Sequence, residues 1–320
     1  MPAAHFGLAL QVGRHAPEAE LRVVEKLGVG RGEIDKLCAA VLDVVGPEPM
    51  DPATLKDALG EAVRNLGEEG RKRGQATTLP SALGLLQAAG EIRRVPVNGR
   101  LDQQRYGYVR WTPPSSGLSD DEARAELARL YFDWTAPASL AHFRWFGAFT
   151  ATAAKAALAP LGLVDVGEGL LAPPDLAEDF AAYQAPVSPR YSLLAGIDSL
   201  VLLRRDHVSL LDPVDASRSA AVRGEKPLAT VADLPDHPIV DRGRIVGLWQ
   251  YDPDQGRVVS WLFRPVEDRD ALAAAIARTE AFVRAGLGDA RSFSLDSPKT
   301  RAPRLAALRA ASGGAGAGPG

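Results

Sequence analysis

A single cysteine in 320 residues rules out a disulfide framework and a thiolate metal cluster. That residue, Cys38, falls on the apolar side of a predicted helix and is expected to be plain core. No apolar run approaches the ~20 residues that a membrane helix needs. The N-terminus also lacks the basic-then-apolar order of a secretion signal, so a cytoplasmic protein without membrane contact is expected. The five histidines, His5, His15, His142, His207 and His237, share no metal-ligand spacing, which argues against a zinc site. Neither G-x-x-x-x-G-K-[ST] nor G-x-S-x-G occurs, which excludes a nucleotide-phosphate loop or an acyl-enzyme elbow of those types. No cofactor and no metal are expected.

With 46% hydrophobic and 24% charged residues, the chain can bury a large core and is expected to hold two or three domains. Its net charge of −3 is unevenly spread. Residues 71–111 contain eight Arg or Lys against two Asp or Glu, a net of +6 that leaves −9 for the remainder. The sharpest feature of this basic region is EIRRVPVNGRLDQQRYGYVRW, from Glu91 to Trp111. Two β-prone runs flank Asn98-Gly99, a pair that tolerates positive φ and favours a tight hairpin turn. Pro96 restricts the first run to an edge strand.

Upstream of this hairpin, Ile34, Leu37, Cys38, Val41, Leu42 and Val45 recur at helical spacing and predict a helix that stops at Gly46-Pro47. Asp51-Pro52 reads as an N-cap with proline at the first helical position, opening a short helix through Leu59. A third helix is predicted from about Thr78 to Ala89, with Leu83, Leu85 and Leu86 on its buried side. Three helices and a hairpin over residues 18–112 give the order of a winged helix. The order recurs over residues 117–172. Ser119-Asp-Asp-Glu122 is a capping box, PASL at Pro137 echoes PATL at Pro52, Thr150 to Ala159 predicts a helix, and LVDVGEGLL predicts a hairpin. Residues 173–190 read as a proline-bearing linker. Residues 191–310 carry β-prone runs, SLLAGI, SLVLLRR, HPIVDRGRIVGLWQYD and GRVVSWLFRPV, then a helix from about Asp268 to Ala285. The expected fold is therefore α+β: tandem winged-helix domains followed by a small β-sheet or β-barrel domain and a C-terminal helix. A disordered tail is expected over residues 311–320.

The tandem units, RLDQQRYGYVRW, YFDWTAPASLAHFRWFG, DRGRIVGLWQYDP and ARSFSLDSPKTRAPRL together resemble a family of winged-helix DNA-binding proteins. That family includes the bacterial DNA glycosylases that unhook interstrand crosslinks and remove alkylated purines. The resemblance covers about residues 5–310 and implies three winged helices with a β-barrel domain around a DNA channel. It makes residues 1–17 the remnant of a preceding unit. It also implies a Gln-x-Gln or Gln-x-Asp motif in that first unit, whose polar side chains position the water that attacks the sugar C1′. Here Gln11 is followed by Val12 and Gly13. The formal match, Gln250-Tyr251-Asp252, reads as a strand entering a turn, and Gln103-Gln104 has the wrong spacing.

The best functional signal is the basic region. Arg and Lys bind phosphate oxygens and release counterions, while Gln and Arg also reach base edges. The candidate DNA contacts are Arg71, Lys72, Arg73, Gln75, Thr77 and Thr78 before the third helix, and Arg93, Arg94, Arg100, Gln103, Gln104 and Arg105 in the wing. Strand alternation offers a plainer alternative, in which part of this group solvates an exposed face. A second basic cluster, Lys299, Arg301, Arg304 and Arg309, can follow a phosphate backbone or cover a domain interface. His142 is expected to be a packed or surface histidine, and Asp206-His207 an acid–base pair only if a cleft holds them. The partner expected is duplex DNA and the expected state a monomer. The sequence identifies no catalytic residue, so a monofunctional DNA glycosylase and a non-enzymatic DNA-binding regulator or structural protein both stand. A third possibility is that the helical units serve only as packing modules.

Overall fold

The computed structural model describes residues 3–96, 106–219, 226–287 and 298–314. It divides into two compact units, Met1–Leu130 with Lys155–Leu161, and Tyr131–Ala154 with Gly162–Gly320.

The first unit opens with helices α1 (Phe6–Gly13), α2 (Glu18–Glu25) and α3 (Arg31–Val44). Ile34, Leu37 and Val41 line the buried stripe of α3, and Val45, already extended, ends the helix just ahead of Gly46-Pro47. Helix α4 (Pro52–Leu59) starts where its cap demands. The Asp51 carboxylate accepts from the backbone N–H groups of Ala53 and Thr54 at 2.9 and 3.2 Å, and Pro52 needs no donor at the first turn. After α5 (Gly67–Lys72) and α6 (Leu79–Ala88), β1 (Ile92–Pro96) pairs antiparallel with β2 (Tyr106–Arg110), Arg94 facing Tyr108 and Pro96 facing Tyr106. Met50 bonds the other edge of β2, exchanging N–H···O contacts with Tyr108 at 3.1 and 2.8 Å. One core joins these elements, with Leu21, Val24, Leu55, Leu83, Ile92 and Tyr108 among its members. Cys38 packs partly buried against this core, its Sγ 3.7 Å from the Ala82 carbonyl, and burial pushes its thiol up to about 11.

Helix α7 (Asp120–Thr135) begins at the capping box anticipated from sequence: Ser119 N–H donates to Glu122 Oε2 at 2.8 Å, and Glu122 N–H to Ser119 Oγ at 3.4 Å. Tyr131, Phe132, Phe143, Phe146 and Phe149 form an aromatic cluster in the second unit, with ring centroids 4.7 to 6.1 Å apart. Along the chain β3 (Ala138–Ser139), α8 (Leu140–Gly147), α9 (Ala151–Leu158), β4 (Val164–Asp165) and β5 (Leu170–Ala172) follow in order, with the strands arranged β3-β5-β4. The PATL and PASL segments differ in role. Pro52 is a first helical residue, whereas Pro137 precedes β3 and α8 starts only at Leu140, capped by Ser139, whose hydroxyl accepts from His142 N–H at 3.1 Å.

Further along, the structure adds to one expectation and corrects another. The proline-bearing stretch after β5 contains a helix, α10 (Pro174–Ala182), which Pro174 can open because the first helical N–H needs no partner. SLVLLRR is helical, not extended: after β6 (Tyr191–Leu193), the Asp198 carboxylate caps α11 (Ser199–Leu202) by accepting from Leu200 N–H at 2.9 Å. A short apolar run without alternation carries no period that separates strand from helix.

The remaining strands, β7 (His237–Asp241), β8 (Arg244–Asp252) and β9 (Arg257–Leu262), complete an antiparallel sheet ordered β6-β7-β8-β9. Arg242 and Gly243 take φ of 48° and 82° in the β7–β8 turn, a two-residue connection whose twist suits the flanking strands. Helix α12 (Arg269–Phe282) covers one face of this sheet through Leu272 and Ala275 with Trp249 and Tyr251. Helix α13 (Pro298–Gly314) covers the other through Leu305 and Leu308 with Leu248 and Trp261. Burial on both faces explains why β8 reads as a nearly continuous apolar run. Helix α13 extends into the start of the stretch expected to be disordered, and residues 315–320 lie outside the described residues.

Candidate nucleic-acid interface

Between Arg64 and Thr78 the chain makes a closed excursion that carries α5. Its neck is tied by Thr78 N–H to the Arg64 carbonyl at 3.0 Å, Arg64 N–H to Thr78 Oγ1 at 3.1 Å, and Leu66 N–H to the Ala76 carbonyl at 3.0 Å. Gly70 is required inside it, because a Cβ there would sit 2.2 Å from the Gln75 carbonyl oxygen and 2.4 Å from Leu66 Cβ. The turn places Arg71, Lys72 and Arg73 together, all exposed. Lys72 Nζ pairs with Glu69 at 3.0 Å and Glu68 at 3.4 Å, whereas Arg71 and Arg73 make no ion pair among the described residues. Gln75 and Thr77 are half-buried. Thr78 is fully buried with its hydroxyl engaged by Arg64, so its side chain serves the neck of the loop and does not reach the surface.

The hairpin sets Arg93 and Arg94 on opposite faces, as neighbouring strand residues must be. Each guanidinium lies over an aromatic ring. Arg94 is 4.4 Å from the Tyr106 centroid and 5.8 Å from that of Tyr108, and Arg93 is 5.6 Å from that of Trp111. Tyr106 and Tyr108 meet edge to face at 5.8 Å, and Phe6 abuts Trp111 at 6.0 Å. Burial pushes the Tyr108 hydroxyl upward, so this ring stays neutral beneath the cation. These arginine–aromatic pairs were not read from sequence; the register that sets Arg94 opposite Tyr108 was the signal available. Arg100, Gln103, Gln104 and Arg105 lie outside the described residues.

Residues 1–282 match the profile of the family described as DNA glycosylase AlkZ-like. The chain belongs to the AlkZ-like DNA glycosylase family. Its fold matches the solved structure of Streptomyces sahachiroi DNA glycosylase AlkZ, with a TM-score of 0.62 and 19% sequence identity over 88% of this chain and 76% of that one. No curated protein sequence matches.

In this AlkZ-like chain, Gln11 is fully engaged. Its Nε2 donates to the Leu118 carbonyl at 3.0 Å and to Asp120 Oδ1 at 2.9 Å, and its Oε1 accepts from Ser116 at 2.5 Å. Asp120 also pairs with Arg14, and the bonds from Gln11 and Arg14 hold its carboxyl below the usual range. Gln250 is completely buried in β8 and donates to Asp236 at 2.8 Å, while Asp252 caps the turn beyond it by accepting from Asp254 and Gln255. Asp206 faces His142 at 3.4 Å; His207 is buried, its Nε2 2.9 Å from the Leu228 carbonyl. In the C-terminal basic cluster, Arg304 bonds Asp236, Arg309 pairs with Asp252 and Arg301 is buried, an arrangement that pins α13 to the sheet. No group of His, Cys, Asp or Glu that could hold a metal ion occurs among the described residues, and no described helix is long and apolar enough to cross a membrane.

Proposed function

We propose that this AlkZ-like chain binds duplex DNA through its first unit, with α3, α4 and α6 and the β1–β2 hairpin acting as a winged helix whose wing is the hairpin. Residues 117–172 are the second, diverged winged helix, and the sheet of β6 to β9 with its two covering helices is the C-terminal domain. The observation that carries this reading is the stacking of Arg93 and Arg94 on Trp111 and Tyr106. A stacked guanidinium is held in place while its N–H edge still points outward, which suits it to phosphate oxygens without further ordering cost. Arg71 and Arg73, exposed and without ion pairs among the described residues, supply cations from the α5 loop.

DNA binding without base excision is favoured as the second reading by a specific observation. Of the glutamines closest to the motif that the family resemblance implies, Gln11 is committed to internal hydrogen bonds through both its Nε2 and its Oε1, and Gln250 is completely buried with its Nε2 given to Asp236, so neither side chain meets an attacking water as it stands. Incubation with duplex DNA carrying N7-methylguanine, with binding followed in parallel, separates the two readings. Base release identifies an excising glycosylase that draws on other residues. Binding without release supports the second reading, and absence of binding overturns both.

A further inference from the structure

The second unit contains a cleft of about 650 Å3. One wall is a single face of α12, since Arg269, Leu272, Ala273 and Ile276 recur at helical spacing. The opposite wall comes from the end of β9 and the following turn, where Leu262, Phe263 and Val266 face the cavity. The floor is thus aliphatic and aromatic, and Leu262, Val266 and Ile276 remain only half-buried. A volume of this size lies within the ~300–1,000 Å3 typical of small-molecule sites.

The mouth is cationic and fixed. Asp215, completely buried, accepts from Arg218 Nε at 2.5 Å and from Arg264, which also pairs with Asp212 at 2.9 Å. Arg218 is further held 5.8 Å from the Phe263 ring centroid. A buried carboxylate bridging two guanidiniums orients both and leaves some of their N–H groups for another acceptor. Arg269, at the first position of α12, adds a third cation and makes no ion pair among the described residues. Three guanidiniums against two carboxylates leave an excess of one positive charge beside an apolar floor.

We propose that this cleft binds a small amphipathic monoanion, an apolar body of ring or branched-chain type bearing one carboxylate or sulfonate group. The body would lie against Phe263, Leu272 and Ile276, and the anionic group would meet Arg269 and the Asp215-held pair. This assignment stands independently of DNA binding by the first unit.

The test uses the full chain with 8-anilinonaphthalene-1-sulfonate as the anionic probe and N-phenyl-1-naphthylamine as its uncharged counterpart. One-to-one, blue-shifted binding of the sulfonate is expected. Arg269→Glu, an exposed change, should weaken the sulfonate about tenfold or more and leave the neutral probe unchanged. Ala273→Trp, which fills the cleft, should weaken both probes. No sulfonate binding, or binding indifferent to Arg269→Glu, would overturn the proposal. Stoichiometric displacement of the sulfonate by duplex DNA would also overturn it, because the cleft would then belong to the DNA surface.

Discussion

The guanidinium of Arg94 lies 4.4 Å from the centre of the Tyr106 ring, and across the ladder from Arg94 stands the buried Tyr108. The stack gives the arginine a structural role, and under the proposed function the same side chain also meets DNA. Arg94→Lys keeps the charge and loses the planar stack. Urea melts should show a loss of about 0.5–1 kcal/mol, and duplex affinity should fall by less than in Arg94→Ala. Equal affinity losses in the two variants would mean that the stack, not the charge, carries the contact.

Gly70 shapes the α5 loop that carries Arg71 and Arg73. Gly70→Ala forces a methyl group against the Gln75 carbonyl and Leu66, with separations of 2.2 and 2.4 Å before relaxation. A destabilisation of roughly 1–3 kcal/mol is expected, together with weaker DNA binding as Arg71 and Arg73 shift. An unchanged melting curve would show that the loop relaxes freely.

These two sites show where the sequence was legible. Helices α3 and α4 and the start of α7 could be read because their caps and apolar stripes are local: Asp51-Pro52 and Ser119 to Glu122 act within one turn. The Arg94–Tyr106 and Arg93–Trp111 pairs depend on strand register, and the neck of the α5 loop depends on Thr78 meeting Arg64, which residue types alone do not specify. The engagement of Gln11 with Asp120, over a separation of 109 residues, lay further from view. SLVLLRR misled because its apolar run is continuous, and α13 because proline and small residues mask its period.

Gln11 acts as a clasp within the first unit, tying α1 to the segment from Ser116 to Asp120. Gln11→Ala should cost about 1–2 kcal/mol in a denaturant titration and leave any base release unchanged once the protein is folded. A loss of release with stability preserved would give Gln11 a direct part in chemistry.

His142 provides a pH signature in the second unit. Its Nδ1 accepts from Ser139 N–H at 3.2 Å, Asp206 faces Nε2, and burial, aided by Arg204, holds its pKa below the ordinary value near 6.5 despite Asp206. The unfolded chain therefore binds the proton more readily. The histidine's contribution is complete above the unfolded pKa and is lost as pH falls through that value toward the folded one. Urea melts from pH 8 to 5 should show this loss in the wild type and not in His142→Asn. An NMR titration placing the folded pKa above 6.5 would contradict it.

The most direct test of DNA binding by the hairpin is a salt series of duplex affinity for the wild type and for a variant with Arg93, Arg94 and Arg100 all replaced by alanine. The wild type should show a steep linear fall of log affinity with log salt. The variant should bind more weakly, with a slope shallower by roughly 0.9 for each phosphate contact removed. Unchanged affinity and unchanged slope would contradict a DNA-contacting wing.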